Sequence, residues 1–170
     1  MTEAASQPET HRMIVDLLEG GGAEYRIVEH PAEGRSAEIA KIRGNDPSQS
    51  LKAIVVAVRG GGGGRRMVMA VVPGNRRLDM KALCKAAGAQ KGSFAPPDEV
   101  TALTGCVMGA VPPFSFWEEL PVYADPLIRD HAEVCFNAAR LDRSIFMDLD
   151  DYLRLASPVM AAVAGDETGS

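Results

Sequence analysis

Aromatic side chains make up only 5% of this chain, and long apolar runs are missing altogether. No stretch approaches the roughly 18 to 20 consecutive apolar residues that a helix needs to cross a bilayer, so membrane insertion is not expected. Cysteine is scarce. Cys84, Cys106 and Cys135 are odd in number and each lies among apolar neighbours, which suits reduced core thiols better than a disulfide framework. The three histidines, His11, His30 and His131, are far apart in sequence, and neither Cys-x-x-Cys nor His-Glu-x-x-His occurs. A metal centre is therefore not expected, and no cofactor is implied. A Gly-x-Ser-x-Gly nucleophile elbow is absent as well, which removes the usual sequence support for a Ser-His-Asp triad. The run Gly60–Gly64 is not followed by Lys-Ser or Lys-Thr and lacks dinucleotide-binding spacing; it reads as a flexible loop, not a phosphate cradle. The opening MTEAASQPETHR has neither the basic region nor the apolar core of a signal peptide, so residues 1–9 read as a disordered lead-in and cytoplasmic residence follows as the expectation.

What is present is the composition of one globular domain: 170 residues, 46% hydrophobic and 24% charged, long enough to bury a core without disulfides or metal. The domain is expected over 10–163, followed by a mobile tail over 164–170. A net charge of −5 argues against an extended nucleic-acid platform, because phosphate affinity comes mainly from Lys and Arg. Yet Arg65, Arg66, Arg76, Arg77, Lys81, Lys85 and Lys91 crowd into one part of the chain, while acids gather at Asp148, Asp150, Asp151 and the two ends. That asymmetry reads equally well as a patch steering one end of a polyanion or as an ordinary solvated face.

Periodicity predicts a helix over 10–19 with Thr10 as a candidate N-cap, a strand over 25–30 ended by Pro31, and a short helix opened by Ser36 and stopped at Gly44. LKAIVVAV at 51–58 is nearly all apolar, as in a strand buried on both faces, and RRMVMAVV at 65–72 repeats the pattern across the glycine run. Asp79 caps a predicted helix reaching Ala87, and Pro96-Pro97 opens another that stops at Gly105. PVYAD, AEVCFNA and SIFMDL read as strands, and DDYLRLASPVM as a final helix capped by Asp150. The irregular alternation excludes a doubly wound sheet; the expected class is α+β, with a mixed, strongly curved sheet and flanking helices.

Two features invite chemistry. Lys52 opens an otherwise apolar strand, where a long cation is costly to bury unless it reaches water, an acid or an anionic ligand. A lysine snorkelling at a sheet edge fits the same pattern. GCVMGAVPPFSFW, residues 105 to 117, combines Gly109, whose missing Cβ lets a ligand approach its backbone, with Pro112 and Pro113, which stiffen the chain. Rigid amide donors beside a glycine suit an oxyanion site, and a stiff turn covering the core would look the same. Phe114, Phe116 and Trp117 each fit either the core or the pocket rim. Asn137 offers both donor and acceptor for a substrate or for nearby backbone.

HPAEGRSAEIAKIRG, Lys52 opening LKAIVVAV, GCVMGAVPPF and FNAARLDRSI, in this order and spacing, resemble the YbaK and prolyl-tRNA-synthetase-associated editing domain family, and within it the free-standing YeaK-like branch. The likeness covers about 10–160. It implies a mixed sheet curled into a barrel-like core and hydrolysis, in trans, of the ester of mischarged aminoacyl-tRNA. A strand lysine and a Gly-x-x-x-Pro loop frame the pocket in that family; they correspond here to Lys52 and to Gly109-Ala110-Val111-Pro112-Pro113. The resemblance thus points to Lys52 and the Gly109 amide for catalysis and to Ala110, Val111, Pro112 and Pro113 for the substrate pocket; His30, Ser36 and Asn137 are further candidates for its lining, and a satisfied core or loop histidine fits His30 equally well. Arg76, Arg77, Lys81 and Lys85 are expected to meet the tRNA. Many family members carry Gly-Gly-x-Ser-Pro in the loop, and threonine is common where Ser36 stands, so the amino acid is not carried over; Ser, Thr and Ala fit the editing logic, because synthetase pockets reject small or isosteric side chains poorly. The implied partners are the acceptor end of aminoacyl-tRNA and a synthetase, with the protein a monomer or weak homodimer. The alternative is a non-catalytic sensor that holds an aminoacyl-adenosine or nucleotide in the same pocket.

Overall fold

The structure, a computed structural model, describes residues 9–168; most of the expected lead-in, 1–8, lies outside them. Helix α1 (Glu9–Gly20) buries Ile14 and Leu18. Thr10 sits inside this helix, and its hydroxyl donates to the Thr104 carbonyl at 2.5 Å, so it ties the helix to the core instead of capping it. His11 Nδ1 does the same towards the Ala138 carbonyl at 2.6 Å. Strand β1 (Tyr25–Glu29) and helix α2 (Ser36–Arg43) follow. Ser36 is the first helical residue; the N-cap position belongs to Arg35, which makes no side-chain cap, and Gly44 closes the helix at φ 76°.

A long hairpin comes next. β2 (Leu51–Arg59) and β3 (Arg66–Pro73) pair antiparallel from Leu51–Pro73 to Val58–Arg66 across the glycine loop. Consecutive residues Val55–Val58 and Val68–Pro73 are buried, and alternate side chains enter two different hydrophobic clusters, so the hairpin is covered on both faces as the apolar runs predict. Beyond them lie β4 (Arg76–Leu78), α3 (Met80–Ala86), whose N-cap Asp79 accepts from the Ala82 amide at 3.0 Å, β5 (Lys91–Phe94) and α4 (Pro97–Thr104). β6 (Val122–Ala124), β7 (Glu133–Arg140), β8 (Arg143–Asp148), α5 (Leu149–Ala156), β9 (Val159–Met160) and β10 (Ala164–Glu167) complete the described chain.

The class is α+β, as expected, but the described strands do not close into one curled barrel. They form a five-stranded mixed sheet β5-β2-β3-β6-β9, a three-stranded antiparallel sheet β1-β8-β7, and the pair β10-β4. The larger two meet at a single parallel bridge, Ser50 to Cys135, where the 3-10 turn Pro47–Gln49 enters β2. One bridge ties the sheets together without extending either ladder.

Three local expectations change. The last helix is capped by Asp148, which accepts from the Asp151 amide at 3.3 Å; Asp150 is already helical. It stops at Ala156, with Ser157 left-handed at φ 48° just before Pro158, so Val159 and Met160 are strand. Residues 164–167, read as tail, are paired with β4. The cause is Asp125, 3% exposed, whose Oδ2 accepts from the Val163 and Ala164 amides at 2.8 and 2.7 Å. A buried carboxylate that is satisfied by several backbone donors can hold an otherwise plain segment in place.

Phe114 lies in the core between Phe136 and Tyr152, with ring centroids 5.6 and 5.2 Å away. The buried Tyr152 hydroxyl donates to the Pro113 carbonyl at 2.8 Å. The Gly-Pro loop is therefore bolted to α5 and β7 from behind.

Candidate active site

The start of β2, the inward face of α2, the turn at Gly34, the loop Met108–Val111 and Asn137 of β7 enclose a cavity of about 210 Å³. Its wall on β2 is Ser50 to Ile54. Lys52, Ala53 and Ile54 are only partly buried. The strand is thus open where it faces the cavity and sealed further along.

Five residues singled out in the sequence line this space: Ser36, Lys52, Gly109, Val111 and Asn137. Ala110, Pro112 and Pro113 are buried behind the loop and do not line it. His30 also stands one layer back. Its Nε2 lies 2.7 Å from Ser144 Oγ, and Nδ1 is 2.9 Å from the Pro31 carbonyl.

Lys52 is half-buried, and its ammonium donates to the Arg76 carbonyl at 2.5 Å, leaving two of its three donors for other partners. Burial, and secondly the charge of Arg77, push its pKa below that of an ordinary lysine. Among the described residues, no carboxylate lines the cavity. Lys52 is a partly desolvated cation without a counter-ion there, the state in which an added anion or carbonyl oxygen gains most.

Gly109 has φ 88°, and a Cβ placed on it would lie 2.7 Å from Gly34 Cα. Two glycine backbones touch here, and only glycine permits both the conformation and the approach. Asn137 fastens the pair. Its Nδ2 donates to the Glu33 and Gly109 carbonyls, both at 2.9 Å, and its Oδ1 accepts from the Ser144 hydroxyl at 3.0 Å. Both amide hydrogens are thus spent on backbone, so the asparagine is a clamp before it is a substrate donor. A bulge follows it in β7, with buried Ala139 at φ 65°. The Gly34 turn is stiffened further by Glu33, whose carboxylate accepts from the Gly34 and Arg35 amides at 3.1 and 2.9 Å and pairs with the Arg35 side chain. That pairing, reinforced by the amides, holds its pKa down to about 2.

Of the expected tRNA contacts, Arg76 and Arg77 adjoin the cavity through Lys52. Arg76 also reaches the Gly165 carbonyl at 3.3 Å and Glu167 at 3.7 Å. Lys81 and Lys85 line a separate open groove with Lys91, between Asp79 and Gly92. Sequence reasoning passed over Gly34, Arg43, Ser50 and Ser144. Ser144 had a signal, a hydroxyl at the head of the apolar run Ile145-Phe146-Met147, which needs a partner once buried. Arg43 had none, because a basic residue ending a helix is an ordinary surface feature.

The family profile described as the aminoacyl-tRNA editing domain matches residues 30–155. The chain is 41% identical over 159 residues to the multifunctional Ser/Thr-tRNA deacylase ProXp-y of Escherichia coli, a match covering 93% of this chain and 95% of the relative. It is 27% identical over 100 residues, 59% of this chain and 61% of the relative, to a protein of Enterococcus faecalis named as a candidate Cys-tRNA(Pro)/Cys-tRNA(Cys) deacylase, EbsC. Among solved structures, a candidate trans-editing enzyme for prolyl tRNA synthetase superposes with a TM-score of 0.78 at 27% identity, covering 95% of this chain and 100% of that one. The matched region contains Ser36, Lys52, Gly109 and Asn137 together with the elements that hold them, and the chain belongs to the aminoacyl-tRNA editing domain family.

Proposed function

We propose that this protein is a free-standing aminoacyl-tRNA deacylase that hydrolyses the ester of mischarged tRNA carrying a small amino acid, with seryl and threonyl groups first. The reading is carried by one observation: Lys52 and Gly109 share a small cavity that, among the described residues, has neither a carboxylate nor a histidine in its lining. Such a cavity can position and polarise an ester but supplies no general base of its own. Aminoacyl-tRNA needs little more. Its ester is activated, and the vicinal ribose hydroxyl is placed to orient the attacking water and to relay its proton, accepting it while handing its own to the leaving ribose oxygen. Water oxygen adds to the carbonyl carbon, the oxyanion forms, and collapse breaks the bond to the ribose oxygen, which leaves with a proton. Positioning of this kind supplies up to roughly 7 kcal/mol or more of barrier reduction.

In this mechanism Lys52 holds the terminal phosphate or the ester carbonyl and the Gly109 amide faces the oxyanion, a donor whose removal costs roughly 3 kcal/mol in the transition state. Ser36, Val111 and Asn137 border the acyl group, while His30, Ala110, Pro112 and Pro113 support the frame. Arg76 and Arg77 meet the acceptor end first, and Lys81 and Lys85 extend that contact. The relative's name, a Ser/Thr-tRNA deacylase, supports the choice of amino acids. The protein acts in the cytoplasm, as a monomer or weak homodimer, beside the synthetase whose errors it clears.

Single-turnover deacylation across tRNAs charged with Ser, Thr, Ala, Val and Cys tests this. Hydrolysis of Ser- and Thr-tRNA, lowered by about 100-fold in a folded Lys52→Ala variant, is expected. Binding without hydrolysis of any of them would favour a sensor instead.

A further inference from the structure

Arg43 is the last residue of α2, and it lines the same cavity as Lys52. Its Nε and Nη1 are buried with no hydrogen-bond partner among the described residues. A guanidinium carries five donors in one plane and no acceptor, and buried donors of this kind are nearly always satisfied. The obvious candidates nearby do not serve. Asn45 Oδ1, two residues on, is itself buried and unpartnered, so the two do not satisfy each other. Cys135 is close enough to interact electrostatically with Arg43, but burial pushes its thiol up and away from the thiolate form. Burial likewise disfavours the charge on Arg43, and among the described residues the cavity lining contains no Asp or Glu.

The two cations have different surroundings within the cavity. Lys52 reaches towards β4 through the Arg76 carbonyl. Arg43 lies on the side of Ser50 and Cys135, where Ser50 Oγ is 3.9 Å from the sulfur of a fully buried cysteine. In the reading above, with the ester at Lys52 and Gly109, the acyl side chain is the part left to reach Arg43, which lines the same cavity. A methyl group arriving there leaves the donors as they are. A hydroxyl oxygen supplies the acceptor that the guanidinium lacks, once a small shift of the side chain brings a donor into the cavity that Arg43 lines.

We propose that Arg43 is the residue that selects hydroxyl-bearing acyl groups, by donating to the side-chain oxygen of a bound seryl or threonyl ester; this rests on the deacylase reading above. A pocket built to hydrogen-bond a hydroxyl rejects the analogue lacking it far more strongly than a greasy pocket rejects an isostere. Threonine and valine are the isosteric pair that isolates the effect.

The test compares wild type, Arg43→Met and Arg43→Lys in single-turnover deacylation of the same tRNA carrying Ser, Ala, Thr or Val. Wild type is expected to prefer Thr over Val, and Ser over Ala, by on the order of 10⁴-fold. Both ratios fall at least tenfold in Arg43→Met, and Arg43→Lys, which keeps the charge without the planar fork, recovers only part of them. Unchanged ratios in a folded Arg43→Met overturn the proposal. So does an equal drop on all four substrates, which would assign the guanidinium to the part of the tRNA they share. Thermal unfolding adds an independent readout: buried donors without partners predict a Tm for Arg43→Met at or above wild type, and a fall of several degrees, or failure to fold, would show a structural role and overturn the proposal. Wild-type hydrolysis of all four at one rate overturns the role of Arg43 alone, whereas hydrolysis of none overturns the deacylase reading with it.

Discussion

Gly109 and Gly34 meet backbone to backbone, and the strain of an added side chain falls on Gly109, since a Cβ on Gly34 would keep 3.2–3.4 Å from its nearest neighbours. Alanine at 109 must adopt φ 88° and push its methyl to 2.7 Å from Gly34 Cα. Left-handed strain and overpacking together cost roughly 3 kcal/mol. The Gly109→Ala variant is therefore expected to unfold at lower temperature and to lose deacylation more than a thermally matched control variant. Equal activity at equal stability would show that the loop does not frame the reaction. At this scale the sequence was legible where a residue broke the local pattern: Lys52 in an apolar strand, Gly109 before two prolines, the lone asparagine in β7. It was silent where the oddity is created by packing. Arg43 acquires unsatisfied donors only because α2 folds against Ser50 and Cys135, and Gly34 matters only because Gly109 comes to rest upon it.

Elements position the site through polar links that cross from one to the next. β8 contributes Ser144, 0% exposed, which bonds Asn137 of β7; Asn137 holds the carbonyls of the Gly34 turn and the Gly109 loop. Removing the hydroxyl leaves a buried amide oxygen short of its donor, a penalty of about 1–3 kcal/mol. For Ser144→Ala we expect that destabilisation by urea denaturation, together with a lower kcat at nearly unchanged KM, because Ser144 orients the Asn137 clamp from behind and does not itself line the cavity. A change confined to stability would limit Ser144 to a structural role. Most helices and the long hairpin were readable from period and caps, since apolar spacing, Asp79, Gly44 and Gly105 act locally. The short strands β4, β5, β9 and β10 were not. Their pairing depends on partners distant in sequence, as with the buried Asp125 that fixes the start of β10.

At the scale of the molecule, a net charge of −5 leaves any polyanion to be drawn by local fields. Arg76 and Arg77 stand beside the cavity and Lys81, Lys85 and Lys91 line the groove of α3 and β5. If tRNA runs from one to the other, Lys81→Glu with Lys85→Glu should weaken binding to correctly and wrongly charged tRNA alike. The slope of log K against log salt should become shallower by roughly 0.7 to 0.9 for each phosphate that the protein no longer neutralises. Filter binding over a salt series measures both. Unaltered affinity and slope would place the RNA on another face. The expected α+β class with a mixed sheet and flanking helices holds at this scale; what the sequence did not show is how the ladders meet, which among the described residues is through a single bridge.

Arg76 sits at a junction whose reach extends past catalysis. Its carbonyl receives Lys52, its guanidinium donates to the Gly165 carbonyl, and its charge faces Glu167. The wall of the cavity is thus laced to a strand near residue 168, and that strand is in turn anchored by Asp125. A handle for purification or immobilisation attached after β10 would pull on the lysine's own support, while one attached ahead of α1 would not. For anyone tethering this protein to a bead, a label or a second domain, the choice of end is also a choice about the active site.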